Sequence, residues 1–163
     1  MTHDGILDIA IGDSLKTKIW SNKKIMWSEL VEKLITENKT EETYKEYMSF
    51  SKTKQTAIKD VGGYIGGFLL QGKRHPQNVI HRQLVTLDLD EGAYIGLWDD
   101  FILRFSYAAV IHGTHKWTPD NPRYRLVLPL SREVSPEEYG AISRWIAGDI
   151  GIEHFDNTTF QVN

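Results

Sequence analysis

The chain has 163 residues, enough for one domain with a substantial core, so we expect a single domain over residues 1–163. Its 40% hydrophobic and 25% charged residues exclude an extensively disordered chain, and its net charge of -3 excludes a globally basic nucleic-acid-binding protein, so any basic surface has to be local. The absence of cysteine excludes disulfides and thiolate zinc sites. No apolar run approaches the ~18 residues that a membrane span needs. We therefore predict a cytoplasmic protein that binds no membrane.

Residues 1–60 are predicted to form a small, mainly helical N-terminal unit. Residues 6–20 alternate only weakly between apolar and polar side chains, which indicates one or two marginal strands. The following segment "ELVEKLITE" has apolar residues at helical spacing, with Ser28 as its predicted N-cap. A second helix is predicted after Thr40. Its inward-facing residues are predicted to be Tyr44, Tyr47 and Met48.

Residues 61–163 are predicted to form an α+β core in which helices pack against a mostly antiparallel sheet. A glycine-rich loop region, "VGGYIGGFLLQGKRHPQN", precedes the first clear strand, "HRQLVTLDLD". A predicted helix, "WDDFILRF", and two predicted strands, "YAAVIHG" and "RYRLVLPL", follow. Pro129 lacks a backbone N–H and therefore favours an edge position for the last of these strands.

The clearest helix of the chain is predicted to begin after Ser135. This residue is the expected N-cap, Pro136 takes the first helical position, and Glu138 completes a capping box. Gly148 is predicted to end the helix. A final strand is predicted around the two C-terminal phenylalanines, Phe155 and Phe160.

Two aspartates, Asp88 and Asp90, end the strand "LVTLDLD". Side chains two residues apart on a strand point to the same face, so the two carboxylates project together. Their like charges repel unless a cation or a proton intervenes, and Mg²⁺ takes carboxylate oxygens as ligands. From the spacing alone, a divalent metal site and a strand with one solvated face are both open interpretations.

Two arginines, Arg123 and Arg125, share one face of the strand "RYRLVLPL". Their planar guanidinium groups suit a phosphate clamp, and the alternative is a pair of solvated arginines on an edge strand. In the preceding loop, His115 and Lys116 together would suit a polyphosphate, although loop residues of this kind are most often only exposed. Trp117 is a candidate for stacking on a nucleic-acid base.

Several weaker patterns lie around these residues. The segment "GFLLQGKR" imitates a phosphate-binding loop but has Arg74 where the magnesium-binding Ser or Thr belongs, so that interpretation is rejected. His112 and His115 lack a third zinc ligand at suitable spacing. Asp156 is, on spacing alone, an ordinary turn residue. A basic stretch is either a nucleic-acid contact or a solvated rim, and it consists of Lys73, Arg74, His75, His81 and Arg82.

The order of these features resembles the primase-polymerase domain of the archaeo-eukaryotic primase superfamily, in the form found in phage and virulence-associated E-like replication proteins. The resemblance runs from about Val61 to the C-terminus. Its motifs in chain order are the acidic pair Asp88-x-Asp90, the small-x-His motif Gly113-Thr114-His115, the arginine strand, and a hydrophobic residue followed by an acid at Phe155-Asp156.

The resemblance implies a fold, a set of ligands and a role for each motif. It implies an RRM-like palm over 61–163, preceded by the N-terminal unit 1–60, and a chain truncated at its C-terminus. It also implies that Mg²⁺ or Mn²⁺ is held by three acids and that nucleotide phosphates are contacted by His115. The metal ligands would be Asp88, Asp90 and Asp156. Arg123 and Arg125 match the arginine-bearing strand of the family and would also bind the nucleotide. Lys116 is predicted to bind it as well, because of its position beside His115.

The implied activity is that of a DNA primase or polymerase, which transfers nucleotides from nucleoside triphosphates onto a primer or first nucleotide along a single-stranded DNA template. Such a protein would act in the host cell cytoplasm with a helicase domain or subunit. The main alternative is a catalytically inactive module that binds nucleic acid or nucleotide. A metal-dependent nuclease or glycosyltransferase also uses acidic pairs, but neither accounts for His115 and the arginines in this order.

Overall fold

The computed structural model describes residues 4–90 and 93–163. It is a mixed α+β fold in which helices pack against two antiparallel sheets, one of three strands and one of four. The predicted α+β class with a mostly antiparallel sheet is therefore confirmed. No helix in the described part of the chain has the length and apolar character needed to cross a bilayer.

The N-terminal unit contains a three-stranded sheet of order β2-β1-β3 and three short helices. The third strand comes from just beyond the predicted unit, so the first sheet is completed by residues 63–65. The elements are β1 (Ile6–Gly12), β2 (Ser21–Met26), α1 (Trp27–Ile35), α2 (Tyr44–Ser49), α3 (Lys52–Ile58) and β3 (Gly63–Ile65).

Two local predictions in this unit are wrong. Helix α1 begins at Trp27, one residue before the predicted cap, and the Ser28 hydroxyl instead donates a hydrogen bond to Asp4 at 2.6 Å. In α2, only Tyr47 is buried, whereas Tyr44 and Met48 are each 45% exposed. A six-residue helix makes fewer than two turns, and here a single side chain anchors it in the core.

The second sheet has the strand order β4-β5-β7-β6. From β5 onward, the chain order is strand, helix, strand, strand, helix, which is the beginning of the ferredoxin-like β-α-β-β-α-β motif. Its elements are β4 (Gly67–Leu69), β5 (Val79–Leu89), α4 (Leu97–Arg104), β6 (Val110–Gly113), β7 (Tyr124–Val134) and α5 (Pro136–Ile150).

The predicted C-terminal strand is wrong, because the segment after α5 forms two short 3₁₀ turns, Ile152–His154 and Asn157–Phe160. The second turn runs along the end of β5 that β4 does not pair with. There the Asp88 N–H donates to Thr159 Oγ1 at 2.9 Å, and that hydroxyl donates to the Thr86 carbonyl at 2.8 Å. The turn thus covers strand-edge groups that a paired strand would otherwise satisfy.

The edge position predicted for the arginine strand is also wrong. Strand β7 lies between β5 and β6. However, β6 pairs with β7 only over residues 124–127, so Pro129 lies where one side of β7 has no strand partner. A proline is tolerated at such a position because no ladder hydrogen bond is lost.

The two faces of β5 have different environments. Val85, Leu87 and Leu89 are fully buried against the core formed with α4 and α5. On the other face, Leu84 packs with residues of β1 and α1. The first sheet therefore covers only the beginning of this second face, and the polar end of β5 is left to line an open space.

The two sheets are joined through Gly66, the single residue between β3 and β4. A Cβ atom on Gly66 would lie 2.3 Å from the Leu84 Cβ, and a Cβ on Gly67 would lie 1.9 Å from the His81 carbonyl oxygen. The side chain of Asn22 on β2 also binds both backbone groups of Leu69 on β4, at 2.9 and 3.0 Å. Close backbone approach at the glycines is thus what brings the sheets together.

The capping box predicted for α5 is confirmed, with the Ser135 hydroxyl accepting from the Glu138 N–H and the Glu138 carboxylate accepting from the Ser135 N–H. The predicted helix end is wrong: α5 runs past Gly148 to Ile150, and Gly151, at φ 130°, ends it. The left-handed region favours glycine, which explains why the second glycine and not the first stops the helix.

Exchange of two glycines for alanine is expected to change stability in opposite directions. Gly148→Ala lies in a helix with open space around it and should stabilise the fold by about 0.5–1 kcal/mol. Gly67→Ala forces a methyl group onto a backbone carbonyl and should destabilise by about 2 kcal/mol or more. Urea denaturation of the two variants checks this, and a destabilising Gly148→Ala would contradict the position of the helix end.

Candidate functional site

A cleft of about 1750 Å³ lies between the N-terminal unit and the uncovered face of the second sheet. Among its described lining residues, eight are lysine or arginine and four are aspartate or glutamate. Because the whole chain carries a net charge of -3, positive charge is concentrated at this place. The cleft is therefore suited to an anionic ligand.

A row of three polar side chains crosses the floor of the cleft. The strand register places Asp88 on β5 opposite Arg125 on β7, and Arg125 opposite His112 on β6. The Arg125 guanidinium donates to both carboxylate oxygens of Asp88, at 2.5 and 3.0 Å. Just beyond the end of β5, Asp90 forms an ion pair with Arg123 at 3.0 Å.

The cations that face the acidic pair in this structure are thus two arginines. Asp88 is paired with Arg125, and Asp90 is paired with Arg123. The expected electrostatic repulsion between the two carboxylates is therefore compensated by these arginines. The Asp88–Arg125 pair is bidentate, and both side chains are about one-third exposed. Such a pair is stronger than an ion pair with a single contact at the surface. The shared face of the two arginines is as predicted.

The donor set of the acidic pair fits a hard divalent cation. Carboxylate oxygens are the ligands that Mg²⁺ and Mn²⁺ prefer, and each oxygen retains a second lone pair when it accepts one hydrogen bond from arginine. A cation held there by Asp88 and Asp90 would share these carboxylates with Arg125 and Arg123.

The third predicted acid, Asp156, lies next to Asp88 through the backbone. Its N–H donates to the Asp88 carbonyl at 2.9 Å. Its carboxylate, however, caps the last 3₁₀ turn by accepting from the Thr158 N–H at 2.9 Å, and Asp156 is not among the described residues that line the cleft. The carboxylates of Asp88, Asp90 and Asp156 do not form a group within 4.8 Å in the described structure.

The loop residues His115 and Lys116 both line the cleft, together with Arg123 and Arg125. The His115 ring packs edge-on against Tyr47 of α2, with centroids 4.5 Å apart. Partial burial, assisted by the charge of Lys59, lowers the pKa of His115. The four residues predicted to contact nucleotide phosphates therefore line the same cleft.

Two further cleft residues were not predicted from the sequence as parts of this site. Within the part of the chain that the structure describes, the Nε2 atom of His112 and the Nε atom of Arg123 are buried without a hydrogen-bond partner, and the buried hydroxyl of Tyr64 lies next to Thr86. His112 was considered only as a zinc ligand. Tyr64 lies between two glycine pairs in "GGYIGG", and a large polar side chain between close-packed backbone segments is the pattern that identifies it.

The basic stretch that precedes β5 does not act as one surface. Arg82 is 4% exposed, its guanidinium donates to the carbonyls of Gly66, Leu84 and Val162, and it lies 4.0 Å from the Tyr139 ring. This arginine is a structural element of the core. Arg74, in contrast, is exposed, lines the cleft and lies over the Trp20 ring at 5.0 Å.

His81 also belongs to a separate cluster between the sheets. The Nε2 atom of His81 lies 3.1 Å from the buried carboxylate of Asp8, and the Nδ1 atom of His81 lies 3.6 Å from the Glu133 carboxylate. The Asp8 carboxylate also accepts a hydrogen bond from Lys24 at 2.7 Å. Because a lysine already neutralises Asp8, this group is explained as an ion-pair network that joins β1, β2, β5 and β7.

Comparison with known proteins identifies a family. The family model described as the VapE N-terminal domain matches residues 1–163. No curated protein and no solved structure matches the chain.

The two arginines of the basic stretch are expected to differ in their effect on folding. Arg82→Gln should destabilise the fold by about 2–4 kcal/mol, since it leaves buried carbonyl groups without a donor. Arg74→Gln, the matched control, should cost less than about 1 kcal/mol because only an exposed ring contact is lost. Equal unfolding midpoints in urea for the two variants would contradict the structural role of Arg82.

Proposed function

We propose that this chain, which belongs to the VapE N-terminal domain family, is a template-dependent nucleotidyltransferase of DNA replication. The family match itself indicates a VapE-like replication protein of the phage- or virulence-associated kind. The finer proposal is a DNA primase or polymerase of phage or mobile-element replication. It uses nucleoside triphosphates and a single-stranded DNA template, and a helicase domain or subunit is its expected partner.

The observation that carries this proposal is the composition of one cleft. Two adjacent carboxylates, Asp88 and Asp90, line the same space as Arg123, Arg125 and a loop histidine, His115. Acids suit divalent cations, and guanidinium and imidazole groups suit phosphates. A substrate that needs both kinds of group at once is a nucleoside triphosphate with its divalent metal.

The reaction that fits these groups joins a 3′-hydroxyl oxygen to the α-phosphorus of the nucleotide and breaks the bond from that phosphorus to the oxygen that bridges it to the β-phosphorus. Pyrophosphate leaves, and the hydroxyl proton is released to solvent. Mg²⁺ or Mn²⁺ would be held by Asp88 and Asp90 and would stabilise charge on the attacking and leaving oxygens. Asp156 would join them if its carboxylate left the Thr158 N–H.

The residues on the basic side of the cleft would hold the triphosphate. Arg123 and Arg125 donate through planar guanidinium groups, and His115 and Lys116 lie on the loop that borders them. Such donors, fixed before the reaction, stabilise charge that develops on the phosphate oxygens.

The template would lie along the mouth of the same cleft. Trp117 is 37% exposed at this border, and Lys59 and Arg74 come from two other segments around it. Aromatic side chains stack on bases and cations contact the phosphate backbone of single strands. This arrangement supports a single-stranded DNA partner.

A second candidate function is a nucleotide- or DNA-binding module that does not catalyse. The specific observation in its favour is that both acids already have arginine partners, which is sufficient to explain their presence without a metal. Such a module would bind triphosphate or single-stranded DNA in the cleft without incorporating nucleotides.

Primer extension with labelled nucleotides in Mg²⁺ or Mn²⁺ tests the enzymatic proposal. Asp88→Asn and Asp90→Asn should each lower incorporation by at least about a hundredfold, since each removes a charged ligand next to the reacting phosphates. Asp99→Asn, an exposed aspartate at the start of α4, is the matched control and should retain full activity. Asp88→Asn should also lower stability by about 1 kcal/mol, because it leaves Arg125 without its ion pair.

Three outcomes separate the candidate functions. Wild-type incorporation that survives both substitutions would show that the acidic pair is not the catalytic site. Tight nucleotide or DNA binding without incorporation would favour the binding module. Metal-dependent loss of DNA without added nucleotide would favour a nuclease.

A further inference from the structure

The helices α2 and α3 form a short hairpin that reaches the cleft through one buried side chain. Phe50 and Ser51 connect the two helices. Within residues 41–60, all of which the structure describes, only Tyr47 and Gln55 are buried. Tyr47 is 2% exposed, and it is also one of the residues that line the cleft. The one buried aromatic side chain of the hairpin therefore belongs to the site as well.

The Tyr47 ring is held from within the hairpin. Its hydroxyl donates a hydrogen bond to the Gln55 carbonyl at 3.3 Å, and the Gln55 side-chain amide donates to the Phe50 carbonyl at 3.0 Å. The Thr43 side chain caps the start of α2, and the Ser51 side chain caps the start of α3. Such caps stabilise helices that are too short to be stable alone. The orientation of the tyrosine is therefore set before any ligand binds.

The ring that contacts Tyr47 belongs to His115, in the loop between β6 and β7. The backbone of this loop is held at Thr114, whose N–H donates to the Arg123 carbonyl and whose carbonyl accepts from the Trp117 N–H, both at 2.9 Å. The imidazole packs edge-on against the Tyr47 ring, with centroids 4.5 Å apart and an interplanar angle of 66°. Aromatic pairs favour this geometry. The loop backbone is thus tied to the start of β7, whereas its histidine ring is restrained by α2.

The hairpin also contributes charges that face His115. Glu42 precedes α2, Lys59 follows α3, and Lys116 is the next residue of the loop. Burial, assisted by Lys59 and Lys116, lowers the pKa of His115 against the opposing influence of Glu42, so the imidazole is neutral at pH 7. A neutral imidazole has a single N–H donor. The orientation of the ring therefore decides whether that donor reaches a phosphate oxygen.

We propose that Tyr47 is a positioning residue, which holds the His115 imidazole in the orientation that binds the triphosphate. This inference rests on the proposed nucleotide-binding function and adds the part of the N-terminal unit that orients a phosphate-binding group of the loop. A contact that restrains the ring in advance lowers the conformational entropy lost when the ligand binds. Tyr47 acts through His115 and needs no contact with the nucleotide.

Calorimetric titration of the full chain with ATP in Mg²⁺ tests the role of Tyr47. Tyr47→Leu removes the aromatic contact and should weaken ATP binding about three- to tenfold. Tyr47→Phe keeps the ring and loses only the hydroxyl, so its affinity should stay within about twofold of wild type. Leu30→Ala, at a buried position of α1 outside the cleft lining, is the control and should lower stability without changing ATP affinity.

A double-mutant cycle separates positioning from a structural role. In a His115→Ala background, Tyr47→Leu should cause no further loss of ATP affinity, because the group that the tyrosine orients is already absent. A tyrosine that only supported the fold would weaken ATP binding by the same factor whether or not His115 is present.

The His115 ring gives a second readout by NMR, which in wild type needs no substitution. Its protons should show contacts with the Tyr47 ring protons both before and after ATP is added. In Tyr47→Leu, loss of the covering ring exposes the imidazole, so the pKa of His115 should rise towards its ordinary value. Leu30→Ala should leave that pKa unchanged.

The inference is overturned if the ring contact is lost when ATP binds, if Tyr47→Leu binds ATP as tightly as wild type, or if its effect persists in full with His115→Ala. No binding of ATP to wild type would contradict both the inference and the proposed function. The expected coupling of Tyr47 with His115 in ATP binding, without primer extension, would support the positioning role and contradict the polymerase. Active primer extension with independent effects of the two residues would contradict the positioning role alone.

Discussion

The antiparallel pairing of β5 with β7 is the constraint on which the cleft depends. Its register places Asp88 opposite Arg125, so an acid that ends a buried strand meets a guanidinium on the neighbouring strand. A slip of one residue would turn the aspartates into the apolar core and expose Leu87 and Leu89 instead. The register is therefore held by the apolar face against α4 and α5, and the polar face follows from it.

The N-terminal unit supplies the second wall of the cleft. The chain passes from β3 to β4 through Gly66, where the absence of a side chain lets the backbone approach Leu84. Tyr64, at the centre of β3, lines the cleft together with Asp88, Arg125 and His112. The hydrogen-bonding environment of the cleft thus belongs to both sheets, and neither sheet alone would contain it.

The charged residues of the cleft that the structure describes fall into two groups, those paired with each other and those without such a pair. Asp88 and Asp90 are first neutralised by Arg125 and Arg123, within a protein whose overall charge is negative. Among the other cations of the lining, Arg82 is buried in the core, whereas Lys59 and Arg74 are exposed. A phosphate bound as we propose would compete with the carboxylates for these arginines, since one guanidinium has a limited number of donors.

The sequence by itself determined the features that depend on local periodicity and capping chemistry. The alternation in "LVTLDLD" and "RYRLVLPL" was sufficient to predict that Asp88 and Asp90 share a face and that Arg123 and Arg125 do, and Ser135 with Glu138 predicted the start of α5. Only the tertiary structure decided which cation faces each acid, that Arg82 is buried, that Gly151 ends α5, and that Tyr64 reaches the cleft. The physical reason is that the face on which a strand residue lies and the cap of a helix are set by neighbouring residues in the chain. The ion-pair partner of a side chain and the extent of its burial are set by segments that meet only when the two sheets pack together.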